Sequence, residues 1–172
     1  LGLRAPVIVV VGNESSGKST VLERLTRTPV LPRDKALCTR AAIRMKLRRG
    51  PAKLAEVAVW KRQPAAIVGE AQQVAGARLC KVVKDKMDEL VAREKREVVD
   101  DHEIVVTIQA PFCPNLDVID LPGLVAAGRQ GSETLPAVTR ALAKAVIEAE
   151  KAWATFLLVV PATQPANQSL AV

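Results

Sequence analysis

The stretch VVVGNESSGKSTVLERL, residues 9–25, limits what this chain can fold into more than any other part of it. Pro6–Val11 is a β-branched run that stops at Gly12. It reads as a buried strand, and as a parallel one, because both of its faces are apolar. From Ser19 onward, Val21, Leu22 and Leu25 recur at helical spacing until Thr28-Pro29 ends the pattern. Between strand and helix, Gly12-Asn13-Glu14-Ser15-Ser16-Gly17-Lys18-Ser19 fits G-x-x-x-x-G-K-S/T. Such a loop turns backbone N–H groups and a helix N-terminus toward one concavity, which suits phosphate. Lys18 would neutralise β- and γ-phosphates, Ser19 would offer its hydroxyl to Mg²⁺, and the run through Thr20 would line the nucleotide.

The remaining pattern predicts an α/β chain. Ala41–Arg48 alternates Ile43, Met45 and Leu47 with Arg44, Lys46 and Arg48, a half-exposed strand with a basic outer face. Glu56–Lys61 is its expected partner. A helical pattern runs from about Ala65 to Glu97, with Leu79, Val83, Met87, Leu90 and Val91 on one face; Gly69 and Gly76 weaken its N-terminal part. Glu103–Ile108 and Leu116–Ile119 read as strands, Leu135–Trp153 as an Ala-rich helix starting near Ser132 or Thr134, and Phe156–Val160 as another buried strand. The loop 31–40 is polar and aperiodic. His102 follows Asp100-Asp101 in an expected turn and reads as structural.

Two further places carry chemistry. Asp120-Leu121-Pro122-Gly123 follows the apolar strand 116–119, and ligands of open α/β sheets bind at the C-terminal ends of strands. Asp120 would hold Mg²⁺ through water, and the Gly123 N–H would approach the γ-phosphate. D-x-x-G at this place resembles the pattern of GTPases. Thr39, on the loop before the next strand, could complete the magnesium shell with its hydroxyl and hold the attacking water with its backbone.

The formal charge of +7 and a pI near 9.7 permit an anionic partner but name none. Arg44, Lys46, Arg48, Arg49 and Lys53 read as a solvated face, and no aromatic interleaving suggests nucleic acid. Cys38, Cys80 and Cys113 are widely spaced, without a metal or disulfide pattern, which suits a reducing setting. The apolar runs are far too short to span a bilayer.

Together VVGNESSGKSTVLERL, LPRDKALCTR, PNLDVIDLPGL and FLLVVPATQPANQSLAV resemble the GTPase domain of the dynamin superfamily, over nearly the whole chain. The resemblance implies a P-loop NTPase three-layer sandwich with a mixed, mostly parallel sheet. It implies GTP as substrate, Mg²⁺ as cofactor and hydrolysis to GDP and phosphate. Lys18, Thr39 and Gly123 would act in catalysis, together with Ser15, which resembles the serine that helps bind a monovalent cation near the phosphates. Ser19, Thr39 and Asp120 would serve the metal. The resemblance further implies self-association across the nucleotide site, membrane remodelling, contact with membranes and with cytoskeleton such as microtubules through other regions, and a cytoplasmic, membrane-peripheral location.

The chain departs from that pattern in places. Glu14 stands where the family usually has Gln, adding like charge near phosphate. Ala126 stands where classical dynamins carry Lys. Leu124 follows the D-x-x-G glycine and cannot orient water as the Gln of small Ras-like GTPases does. No N/T-K-x-D follows Asp120, and Asp85-Lys86-Met87-Asp88 reads as a solvated helix face. A partial GTPase domain is therefore expected, one that ends about where guanine reading should begin. The alternatives are a septin-like or ribosome-associated GTPase, against which Leu31–Arg40 argues, and a non-catalytic nucleotide-binding scaffold.

Overall fold

The structure, a computed structural model, describes residues 5–28, 30–31, 39–126, 133–163 and 165–171. Most of the loop 31–40, with Cys38, lies outside the described residues, as does Ser132.

The β-branched run folds as strand β1 (Val7–Gly12), and the Lys18–Thr26 segment as helix α1. Then come β2 (Ala41–Arg49), β3 (Leu54–Lys61), β4 (Ala66–Gln73), α2 (Leu79–Glu94), β5 (Val99–Ala110), β6 (Leu116–Asp120), α3 (Leu135–Glu150) and β7 (Ala154–Val159). One seven-stranded sheet joins them in the order β4-β3-β5-β2-β6-β1-β7. β1 runs parallel to β6 and β7, and β2 parallel to β5. The pairs β2–β6, β3–β4 and β3–β5 are antiparallel. The sheet is mixed as expected, but its parallel and antiparallel pairings are equal in number rather than parallel in excess.

Strand alternation sorts the core onto two faces. Val10, Ile43, Met45, Leu47, Ile104, Val106 and Val118 meet Leu22 of α1 and Leu79, Val83 and Met87 of α2. Val7, Val9, Val11, Ala42, Ile119 and Leu121 meet Leu135, Leu142, Ala143 and Val146 of α3. Helix, sheet and helix make three layers. Each fully buried Leu, Ile or Met here contributes about 1.5–3 kcal/mol relative to exposure. The apolar face expected on α2 packs on its own sheet, and Asp85 and Asp88 sit on its exposed side.

Glu56–Lys61 was expected to pair with the Ala41–Arg48 strand, but β5 lies between β3 and β2, and β3 pairs with β5 and β4 instead. Four more expectations are corrected. Residues 66–73 are a strand, not the start of a helix. Ala, Glu and Gln there favour helix, but the free edge of β3 offers a ladder of backbone partners, and β4 takes it. The helix begins only at Leu79. β7 is an edge strand in the described sheet, with Phe156 and Leu158 each about two-fifths exposed, not a buried one. His102 lies within β5 and is buried. Its Nδ1 is 2.8 Å from Asp101 Oδ1 and its Nε2 3.3 Å from Arg93 Nη2, a structural role in a strand rather than a turn.

The basic side of β2 is the fourth. Arg44 is not solvated: its guanidinium lies 2.6 Å from Glu150 at the end of α3, 3.3 Å from Glu103 and 3.8 Å from Asp117. Burial alone would lower its pKa, but these three carboxylates outweigh it and hold the pKa above the ordinary arginine value. Arg48 pairs with Asp117 at 2.7 Å, and the Lys46 ammonium lies over the Trp60 ring. The alternating pattern is real, but α3 and neighbouring acids cover part of it. Arg49 and Lys53 remain exposed, as expected.

Candidate functional site

β1 ends inside the sheet, and the chain must turn sharply to start α1. Ser15 takes φ 60° and Gly17 φ 92° to make that turn. The left-handed region suits glycine at position 17 and costs Ser15 roughly 1 kcal/mol or more. No side chain caps the N-terminus of α1, so its first-turn amides are left to an outside acceptor. Ser16 is buried, and its hydroxyl has no hydrogen-bond partner. A loop with an uncapped helix start and an idle buried hydroxyl fits an anion.

Lys18 is 7% exposed, and its ammonium donates to the carbonyls of Gly12 (3.2 Å) and Asn13 (2.8 Å). These bonds fold the side chain back over the loop, where a phosphate could take their place.

The D-x-x-G segment lies directly against this loop. The Leu124 N–H donates to Gly12 O at 3.0 Å, and the Glu14 N–H to Leu124 O at 2.9 Å. Gly123 permits the approach: a Cβ there would stand 2.6 Å from Glu14 Cα and 3.1 Å from Lys18 Nζ. Any side chain at 123 would push the two segments apart. The Glu14 amide is engaged with Leu124, and Leu124 itself packs into the α3-side core. Ala126 is exposed.

Asp120 ends β6 and is fully buried. Thr39, just before β2, donates its hydroxyl to Asp120 Oδ2 at 3.1 Å, across 81 positions of sequence. Burial pushes the Asp120 pKa up to about 6, although Lys18's charge and Thr39's hydroxyl pull it down. The other oxygen, Oδ1, is buried without a hydrogen-bond partner. An orphaned carboxylate oxygen beside a threonine hydroxyl is a hard-oxygen site that fits Mg²⁺ and its waters. Ser19 is half-buried in the first turn of α1.

The structure thus brings the Gly12–Lys18 loop, Thr39, Asp120 and Gly123 together; within and just after the loop, Ser15, Gly17 and Thr20 are exposed. Sequence reasoning missed Ser169 and Leu170, both of which bond to the side chain of Asn13. The segment FLLVVPATQPANQSLAV carries family resemblance, but nothing in it marks these two residues as partners of Asn13.

The Dynamin family profile matches residues 8–171. Putative dynamin-related protein 4A of Arabidopsis thaliana is 32% identical over 123 residues, covering 72% of this chain and 38% of the relative. Interferon-induced GTP-binding protein Mx1 of Canis lupus familiaris is 30% identical over 162 residues, 92% of this chain and 23% of that protein. Phragmoplastin DRP1A of Arabidopsis thaliana is 30% identical over 167 residues, 96% of this chain and 25% of the relative. The chain therefore spans well under half the length of these relatives. With the phosphate loop, Thr39 and the D-x-x-G segment meeting at one end of an α/β sheet, and with this match across the chain, the protein belongs to the dynamin family as a dynamin-type G domain.

Proposed function

We propose that this site binds GTP with Mg²⁺ and hydrolyses it to GDP and phosphate. The observation that carries the reading is the convergence of three distant segments: Lys18 on the phosphate loop, Asp120 with Thr39 bonded to it, and Gly123 against Glu14 and Lys18. Phosphoryl transfer asks the protein mainly for positioning and charge stabilisation, and these residues supply both. Lys18 would exchange its two carbonyl partners for phosphate oxygens. The first-turn amides of α1 would hold the β-phosphate. Thr39, Asp120 and Ser19 would hold magnesium, which supplies charge neutralisation on the β- and γ-phosphates. The Gly123 N–H would meet the γ-phosphate. With Leu124 packed in the core, the Thr39 backbone and the phosphate loop are left to orient water.

The finer features are part of the proposal. Ser15, exposed at the bend of the loop, would help hold a monovalent cation. In the longer setting of its relatives the domain would self-associate across the nucleotide, remodel membranes, and contact membranes or microtubules through other regions, in the cytoplasm. The family resemblance supports these.

Residues 1–172 contain no N/T-K-x-D after Asp120. We therefore expect calorimetry on this chain to give weak binding of GTP, with little preference over ATP. Tight, GTP-selective binding would overturn that expectation and place guanine reading within these residues.

A further inference from the structure

We propose that Asn13 is a positioning residue that latches the segment after β7, residues 165–171, onto the phosphate loop, so that nucleotide occupancy is transmitted to that segment. The inference rests on the nucleotide reading of the loop. The Leu170 N–H donates to Asn13 Oδ1 at 3.0 Å, and the Ser169 hydroxyl reaches the same oxygen at 3.4 Å. The Ala171 N–H donates to Ser169 Oγ at 3.3 Å. Ser169 is 9% exposed, and Leu170 and Ala171 pack on the α3-side core. A buried hydroxyl and two backbone donors thus converge, directly or through one another, on one side-chain carbonyl 156–157 positions away.

The backbone of the same residue faces the phosphate chemistry. Asn13 O accepts the Lys18 ammonium at 2.8 Å and the Ser16 N–H at 3.2 Å. When phosphate draws the Lys18 ammonium away, the Asn13 peptide loses its strongest restraint on that side. The peptide can then reorient, and its side chain carries the change to Leu170. Conversely, the segment 165–171 holds Asn13, and so helps hold the carbonyl that parks Lys18. Coupling of this kind needs two arrangements of one element that the ligand biases; the Asn13 peptide is that element.

Amide exchange of the peptide spanning 165–171 tests the latch, with Mg²⁺ and saturating GDP as the probe and calorimetry run in parallel. In the wild type GDP is expected to change exchange at 170–171 by about fivefold or more. Asn13→Ala should raise exchange there by about five- to tenfold without nucleotide, the value of one hydrogen bond, and abolish the GDP response. Asn13→Asp keeps an acceptor and should restore protection. Ser169→Ala, outside the phosphate loop, should loosen 170–171 in a protein whose loop is intact. A general destabilisation would raise exchange in α2 and β5 as well; the latch predicts an effect confined to 165–171 and the phosphate loop. GDP binding without any change at 165–171, or Asn13→Ala with wild-type exchange there, would overturn the inference. A complete absence of GDP binding to the wild type would overturn the nucleotide reading, and the inference with it.

Discussion

Replacing Lys18 by alanine is expected to lower GTP hydrolysis by about 10²–10³-fold while leaving the chain folded. The rate loss follows from position. The ammonium sits at the foot of the loop, 7% exposed, beside the space that Gly123 keeps open. It is the charge best placed there to stabilise phosphates as they become more negative in the transition state. The fold persists because the acceptors it leaves behind are not orphaned. Gly12 O still takes the Leu124 N–H, and Asn13 O still takes the Ser16 N–H, so the two vacated acceptors should cost at or below about 1 kcal/mol, to which the loss of Lys18's charge beside buried Asp120 adds. Steady-state phosphate release and thermal melting read both quantities. Activity within tenfold of wild type would remove Lys18 from the catalytic role.

The second large effect has opposite signs for activity and stability. Asp120→Asn should abolish magnesium-dependent hydrolysis yet stabilise the metal-free protein at neutral pH. Burial raises the Asp120 pKa from 3.8 to about 6 in the folded chain. Between about pH 4 and 6 the folded state therefore holds a proton that the unfolded state has released, and stability falls as pH rises through that window, levelling above it. The difference corresponds to about 3 kcal/mol at most. Asparagine carries no charge to bury and can still accept the Thr39 hydroxyl. In chelator, the variant's advantage in urea unfolding should be small near pH 4, grow through pH 6 and stay constant at pH 8. A variant less stable than wild type at pH 8, or an advantage that does not change with pH, would contradict this account of the site.

How much of this was legible in the sequence follows from which forces act locally. The strand–loop–helix at 7–26 was readable because β-branched runs, glycines and helical spacing all act within a few residues. The D-x-x-G segment was readable at a strand end for the same reason. β4 was not readable, because the edge of β3 overrides the helical preference of Ala, Glu and Gln. Arg44 looked solvated because alternation tells which side of a strand a residue faces, not what packs over it; Glu150, 106 positions away, decides that. The exposure of Phe156 and Leu158 likewise depends on β7's place at the sheet edge. Thr39 stands out in the sequence by its place in a loop and by resemblance, but its bond to Asp120 is a tertiary fact. The Asn13–Leu170 bond had no sequence signal at all, since a backbone donor leaves no mark in composition.

In the proposed site, Thr39 and Asp120 form the metal side and the Gly12–Ser19 loop the phosphate side. Titration of a non-hydrolysable GTP analogue into the chain, with and without Mg²⁺, tests it most directly. The account predicts that Mg²⁺ tightens binding by about tenfold or more, a gain of about 1.4 kcal/mol, and that Thr39→Ala or Asp120→Asn removes the gain while metal-free binding persists. Binding that is the same with and without Mg²⁺, or a gain that survives both substitutions, would contradict it.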